Sequence, residues 1–159
     1  MNRGTHLVFG VGVSLILVNP LSIPTTLAVL VGGVIGSTLP DLDLRVKHRM
    51  LLHNIFSLII LAITVYVLSS LSFITAPYTS YLILAFTIAY MSHLFLDMFT
   101  KAGVALLYPL NRRRYRLLKL KSTSSLANAL LTILGLLMVV YWVYSNGLLR
   151  FKPLGLQQP

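Results

Sequence analysis

Residues 81–100 read YLILAFTIAYMSHLFLDMFT, an apolar run that carries one histidine and one aspartate. About 20 consecutive apolar residues are enough to cross a hydrocarbon core as a helix. His93 and Asp97 are four residues apart, so they lie on one face of such a helix. An ionisable group at membrane depth costs several kcal/mol unless it has a partner. The run therefore predicts a membrane helix with a polar functional site on one face.

The whole chain shares this apolar character. It has 159 residues, of which 57% are hydrophobic and 10% are charged, and its mean hydropathy is +0.85. A soluble domain of this length does not need so apolar a composition. We predict a single all-α integral membrane domain over residues 1–159, a polytopic helical bundle with about five transmembrane helices. The apolar runs occupy residues 7–18, 25–39, 51–72, 81–100 and 126–149.

The first two runs are short for membrane spans. They could thin the bilayer or form a re-entrant pair, and the sequence VNPLSIP between them indicates a turn broken by Pro20 and Pro24. A basic start followed by an apolar run is also typical of a secretory signal, but the small-x-small cleavage pattern does not follow it. We therefore expect residues 1–20 to remain in the mature protein. The chain has no cysteine, which excludes disulfides and thiolate metal sites.

The basic residues predict the orientation. With five spans, eleven of the thirteen lysines and arginines fall on one side, namely Arg3, the three at positions 45–49, and seven from Lys101 to Lys121. The positive-inside rule places that side, with the N-terminus, in the cytoplasm, and the C-terminus outside. We expect a multi-pass protein of the inner or plasma membrane, with a basic cytoplasmic loop at 101–125.

The chain has only three acids and four histidines, and each lies near the predicted cytoplasmic end of a helix. Imidazoles and carboxylates without thiolates suit zinc, manganese or iron, and carboxylate-rich sites tolerate magnesium. We predict one or two divalent ions, with zinc as the first choice. The candidate metal ligands are His6, Asp41, Asp43, His53, His93 and Asp97.

These residues also have simpler interpretations. Asp97 could merely orient His93, or the pair could belong to a proton relay. The sequence PDLD at 40–43 could instead form a loop in which Asp43 caps a short turn. Of its two aspartates, Asp43 is the weaker ligand candidate. We expect His53 to lie in the third helix.

His6 is as often structural as ligating at such a position, and His48 could be a solvated interfacial histidine. We expect His48 to lie in the loop before the third helix. Arg49 follows His48 and could reach a phosphate oxygen, although it could equally be an ordinary positive-inside charge. We take His48 and Arg49 as the catalytic candidates.

Two divalent ions held by three carboxylates would leave a net positive site, which favours an anionic substrate. Divalent metal lowers the pKa of bound water and can stabilise both oxygens of a phosphoester displacement. The run NRRRYRLLKLK at 111–121 interleaves basic and apolar residues, which is typical of an interfacial segment that binds anionic lipid. Beside a membrane, nucleic acid is the less favoured partner. The predicted headgroup contacts are Arg112, Arg113, Arg114, Arg116, Lys119 and Lys121.

Small residues predict how the helices pack. Gly32 and Gly36 in GGVIGS, and Gly10 and Ser14 in FGVGVS, have the four-residue spacing that allows close helix contact in lipid. The two short helices would form the core of the bundle. A homodimer is compatible with this pattern, but no residue specifies it.

A histidine near the N-terminus followed by three motifs resembles the YdjM-like family of inner-membrane proteins, described as metal-dependent hydrolases and as LexA-binding. The motifs are PDLD, HRMLLHN and HLFLDMFTKAGVALLYPLNRRRYRL, and the resemblance covers roughly residues 4–120. Distant similarity of that family to zinc-dependent phospholipase C and P1-type nuclease implies a helical metalloenzyme. Where the family shows Thr-His-Ser, this chain has Leu52-His53-Asn54. The implied ligands are His6, Asp41, His53, His93 and Asp97.

Three functions follow as hypotheses. The first is a membrane-embedded metal-dependent hydrolase that cleaves a phosphoester of a phospholipid or lipid-linked substrate at the cytoplasmic headgroup layer. The second is a metal or proton transporter, which would need polar residues that continue to the outer face. The third is a non-catalytic membrane scaffold for a cytoplasmic partner, which would tolerate the loss of Asp97.

Overall fold

The computed structural model describes residues 1–45 and 50–146. Within these residues the chain folds into five α-helices and has no β-strand beyond two isolated bridges. The predicted all-α class is confirmed. The helices are α1 (Arg3–Val18), α2 (Ile23–Thr38), α3 (Ile55–Leu71), α4 (Thr79–Met98) and α5 (Ser125–Ser145).

Polar residues at their N-terminal ends decide where α2 and α3 begin. Ser22 and Thr25 form a capping box at the start of α2, and Asn54 accepts a hydrogen bond of 2.8 Å from the amide of Ser57 at the start of α3. Such caps satisfy amide groups that have no partner within the helix. The beginnings of these two helices are therefore encoded locally.

The lengths of the second and third helices differ from the sequence prediction. The second apolar run was expected to be short, but a 3-10 helix over Leu39–Arg45 continues α2, so that Ile23–Asp43 forms an apolar span of 21 residues. The third run was expected to begin at residue 51, but α3 has only 17 residues because Asn54 caps it. His53 consequently lies in the turn before α3, and the prediction that it is helical was wrong.

Among the described residues, three helical segments are long and apolar enough to cross a membrane: Ile23–Asp43, Ala76–Met98 and Ser125–Ser145. The helices α1 and α3 are equally apolar but have 16 and 17 residues. At a rise of 1.5 Å per residue they reach about 24–26 Å, slightly less than a typical hydrocarbon core of about 30 Å. The five-span topology and its orientation stay predictions.

Glycines allow the central helices to touch. A Cβ atom at Gly32 would collide with the carbonyl oxygen of Leu82, and one at Gly36 would collide with that of Phe86, so α2 lies directly against α4. The α1 and α5 backbones meet in the same way at Gly12, whose added Cβ would lie 2.6 Å from the Gly135 carbonyl oxygen. The close helix contact predicted from the spacing of Gly32 and Gly36 is thus present, between α2 and α4.

The antiparallel order of the helices brings four chain segments to one end of the bundle. The beginnings of α1 and α3 meet the ends of α2 and α4 there, and α4 contacts α1, α2 and α3. The link between α4 and α5 folds back over this end through backbone hydrogen bonds, such as that from the Leu117 amide to the Met98 carbonyl (2.8 Å). The candidate site lies where these segments meet.

Candidate metal centre

Five titratable side chains from four segments converge at this end of the bundle. Four of them are almost fully buried, and the carboxylate of Asp97 is 16% exposed. The group contains two of the three acids in the chain and three of its four histidines. Its members are His6 from α1, Asp41 from the 3-10 helix, His53 from the turn before α3, and His93 and Asp97 from α4.

Asp97 lies at the centre of the group. Its Oδ1 atom is 3.1 Å from His6 Nε2, and its Oδ2 atom is 3.5 Å from His53 Nε2 and 3.6 Å from His93 Nε2. Asp41 Oδ1 approaches His93 Nε2 to 3.7 Å. Two overlapping groups therefore have ligand atoms within 4.8 Å of one another: His6, His93 and Asp97, and Asp41, His53 and His93.

A backbone hydrogen bond orients His93. Its Nδ1 atom donates to the carbonyl oxygen of Ser37 in α2 at 2.8 Å, because a carbonyl can only accept. The proton is thus fixed on Nδ1, and the lone pair of Nε2 points toward the carboxylates. Such a bond from the far side of the ring is the usual way in which a protein orients a metal-binding histidine. The His6 ring stacks on the His93 ring with the centroids 3.8 Å apart.

Most imidazole nitrogens of the group make no hydrogen bond of acceptable geometry. Among residues 1–45 and 50–146, His93 Nε2 and both ring nitrogens of His6 and His53 are buried without a hydrogen-bond partner. Buried polar atoms are normally paired, so five unpaired nitrogens in one place require an explanation. A metal ion would satisfy one nitrogen of each ring, because neutral imidazole binds through its single ring lone pair.

The spacing of the side chains fits a metal shell. Ligand atoms at 2.0–2.2 Å from a tetrahedral zinc ion lie roughly 3.3–3.6 Å apart. The observed separations of 3.5, 3.6 and 3.7 Å among His53 Nε2, His93 Nε2 and the two carboxylates are close to that range. These separations are too long for good hydrogen bonds but suit ligands that share an ion.

The turn at residues 50–54 positions His53. The Tyr90 hydroxyl of α4 donates to the Leu52 carbonyl. The Asn54 side-chain amide donates to the carbonyls of Met50 and Leu51 at 2.7 and 2.8 Å.

Asp43 contacts the same turn from the 3-10 helix. Its Oδ2 atom accepts from the Leu52 amide at 3.1 Å. Asp43 lies 4.0 Å from His53 Nδ1 and belongs to neither ligand group, so the structure gives it a positioning contact in this turn.

Three contacts at the site were not predicted from the sequence. The Met1 amino nitrogen lies 2.7 Å from Asp97 Oδ1, and Arg3 Nε lies 3.9 Å from Asp41 Oδ2 with its side chain 61% exposed. Arg3 was considered only as an orientation charge, and Tyr90 was not considered at all. No local pattern marks them, because each contact joins residues far apart in the sequence: Met1 precedes α1, Arg3 begins α1, and Tyr90 lies in α4. The catalytic candidates His48 and Arg49 lie outside the described residues.

The fold and the site together define a helical membrane protein with a buried histidine–aspartate group that could bind a metal ion. A family model described as YdjM inner membrane protein matches residues 1–152, so the chain belongs to that family. The family predicted from the three motifs is thereby confirmed. No curated protein and no solved structure matches the chain. The similarity to phospholipase C and P1-type nuclease stays a prediction.

Proposed function

We propose that this protein is a membrane-embedded, metal-dependent hydrolase that cleaves a phosphoester of a phospholipid or lipid-linked substrate. The observation that carries the proposal is the buried group of three imidazoles and two carboxylates, whose facing nitrogens have no hydrogen-bond partner in the part of the chain that the structure describes. A divalent metal bound there would act as a Lewis acid and lower the pKa of water, which is the chemistry that phosphoester hydrolysis needs.

The side chains of the group have distinct tasks in this proposal. His53, His93, Asp41 and Asp97 would hold an ion, and His6, which faces the second oxygen of Asp97, would complete that shell or begin a second one. The Ser37 carbonyl keeps the Nε2 atom of His93 directed at the site. Arg3 is exposed at the rim and could bind a phosphate oxygen with its planar guanidinium.

The distribution of buried charge favours hydrolysis over transport. Among the described residues, every fully buried histidine or aspartate belongs to the site end of the bundle. The core nearer the other end is formed by Leu15, Val29, Ala85 and Trp142. A transit path for metal or protons would need ionisable or polar groups to continue through that core. A site confined to one end suits a substrate that arrives from the headgroup layer.

The metal content of purified protein is the first test. We expect the native chain to retain a divalent transition metal, and Asp97→Asn to lose at least about 90% of it because a central ligand has been neutralised. Asp43→Asn is the matched control, since it makes the same chemical change in the one acid outside both ligand groups. Its side-chain oxygen can still accept from the Leu52 amide, so the turn that carries His53 is kept and the metal content should stay near that of the native chain. Plasma mass spectrometry measures the metal content of the native chain and of both variants after purification in detergent.

The activity assay follows from the metal assay. Metal-loaded native protein should release product from bis(4-nitrophenyl) phosphate or from phosphatidylglycerol vesicles, and Asp97→Asn should not. A native chain that stays metal-free after incubation with zinc, manganese and iron would overturn the proposal. A chain that binds metal but cleaves neither substrate would instead favour the scaffold hypothesis.

A further inference from the structure

The link between α4 and α5 brings two lysines together that are 20 positions apart in the sequence. The Lys101 amide donates to the Leu120 carbonyl at 2.9 Å, and the Leu120 amide donates to the Phe99 carbonyl at 3.0 Å. This backbone pairing sets Lys101 beside Lys121. The arrangement comes from the tertiary fold, since no local pattern predicts which basic residues of the link meet.

The two lysines line one cleft of about 270 Å³. The side chains of Lys101, Lys121, Ser122 and Thr123 can donate hydrogen bonds into it, and none of its side chains is acidic. Within the described part of the chain, neither lysine forms an ion pair, because the three aspartates surround the candidate metal centre. The cleft is therefore suited to an anion. Its lining residues are Thr100, Lys101, Ala102, Lys121, Ser122 and Thr123.

The cleft adjoins the metal centre through Thr100. The amide and the hydroxyl of this buried residue both donate to the carbonyl oxygen of Asp97, at 3.1 and 2.8 Å. Ser122 and Thr123 also line a larger cleft of about 940 Å³ between the beginnings of α1 and α5. An anion held by the lysines would thus have space beside it for a larger attached group.

The surroundings of the cleft point to a lipid as the source of that anion. Leu110, Leu117 and Leu118 are 80%, 54% and 51% exposed on the same link. Their neighbours Arg112, Arg113, Arg114, Arg116 and Lys119 are exposed as well. Exposed leucines interleaved with cations are typical of a segment that lies in the headgroup layer of an anionic membrane.

We propose that the cleft between Lys101 and Lys121 binds the phosphate group of an anionic phospholipid. The two ammonium groups and the hydroxyls of Ser122 and Thr123 recognise the phosphate oxygens, and the larger cleft accommodates the adjoining part of the lipid. Only the further step, that the bound lipid is the substrate of the metal centre, rests on the proposed function. Lipid binding itself is independent of hydrolysis.

Native mass spectrometry of the full chain in detergent, with added phosphatidylglycerol, tests the cleft. Charge-assisted hydrogen bonds contribute enough that Lys101→Gln with Lys121→Gln should weaken phosphatidylglycerol binding roughly 100-fold. The matched control is Arg112→Gln with Arg113→Gln, which removes the same charge from two exposed residues of the link outside the cleft, where we expect only the general attraction of cations to anionic headgroups. Because salt screens exposed charges, this control pair should weaken phosphatidylglycerol binding by less than about fivefold at high salt. Equal losses for the two pairs would overturn the proposal.

Two further measurements separate the alternatives. Inorganic phosphate should displace phosphatidylglycerol only at much higher concentration, and equal potency of the two would overturn the lipid assignment. The metal content of Lys101→Gln with Lys121→Gln should remain that of the native chain. If the native chain binds phosphatidylglycerol through these lysines but holds no metal, the lipid-binding cleft is supported and the hydrolase proposal is contradicted.

Discussion

At the scale of single residues, the site depends on a few side chains whose partners lie far away in the sequence. The motif His93-x-x-x-Asp97 could be recognised in the sequence because a helix must place both residues on one face. The hydrogen bond from His93 to the Ser37 carbonyl could not, since it joins residues 56 positions apart. The candidate ligands were therefore predictable, whereas the contacts that orient them were not.

Tyr90 is a positioning residue for the turn that carries His53. Removal of its hydroxyl by Tyr90→Phe would free the Leu52 carbonyl and let His53 move away from Asp97. Loss of such an orienting contact typically weakens metal binding about 10- to 100-fold. Zinc titration against a chelating competitor measures this effect.

The control for this change is Tyr66→Phe, because Tyr66 is 55% exposed on α3. We expect it to leave the zinc affinity within about twofold of the native value, as is usual for surface substitutions. If Tyr90→Phe also retained native affinity, the turn would not depend on this hydrogen bond.

At the scale of helices, the sequence predicted the elements well and their boundaries less well. Apolar runs located all five helices, because a membrane or a tightly packed interior requires continuous apolar faces. The run at 51–72 was interpreted as one helix from its first residue, but Asn54 caps α3 and leaves His53 in a turn. An asparagine within an apolar run was the available signal, and Asn is a preferred capping residue.

The contact between α2 and α4 sets the distance from Asp41 to His93. Gly36→Ala would place a Cβ atom against the Phe86 backbone, which cannot rotate away. We expect the two helices to separate, with a loss of about 1–3 kcal/mol in the free energy of unfolding and weaker metal binding. Unfolding in detergent mixtures measures the free energy of unfolding, and the metal content of the purified protein measures metal binding.

Gly4→Ala is the matched control, since nothing lies within 4 Å of its added Cβ atom. This change should leave the free energy of unfolding the same or raise it by about 0.5–1 kcal/mol, because alanine favours a helix. Equal stability of the Gly36→Ala and Gly4→Ala proteins would contradict the role of the α2–α4 contact.

At the scale of the whole molecule, charge and topology act together. The antiparallel helices bring the three acids and three histidines to the end of the bundle that also carries the basic link. The positive-inside rule assigns this end to the cytoplasm. The orientation is a prediction, and the absence of native cysteines makes it directly testable.

Single cysteines at Asn111 and Phe73 report the two ends of the bundle. Asn111 is exposed in the basic link, and Phe73 is 97% exposed between α3 and α4. In right-side-out vesicles, a membrane-impermeant maleimide should label Phe73→Cys at once, and Asn111→Cys only after the vesicles are opened. The native chain, which has no cysteine, gives the background. The reverse labelling would place the site outside.

The sequence by itself determined that this protein is a helical membrane protein, where its helices lie, and which residue types are candidates for a metal site. These properties follow from apolar runs, capping residues and the rarity of charge, all of which act locally. Only the tertiary structure decided which of the candidate ligands come together, that Asp43 holds the turn before α3, and that Lys101 meets Lys121. Such choices depend on how helices and loops distant in the sequence pack together, and a local pattern does not encode them.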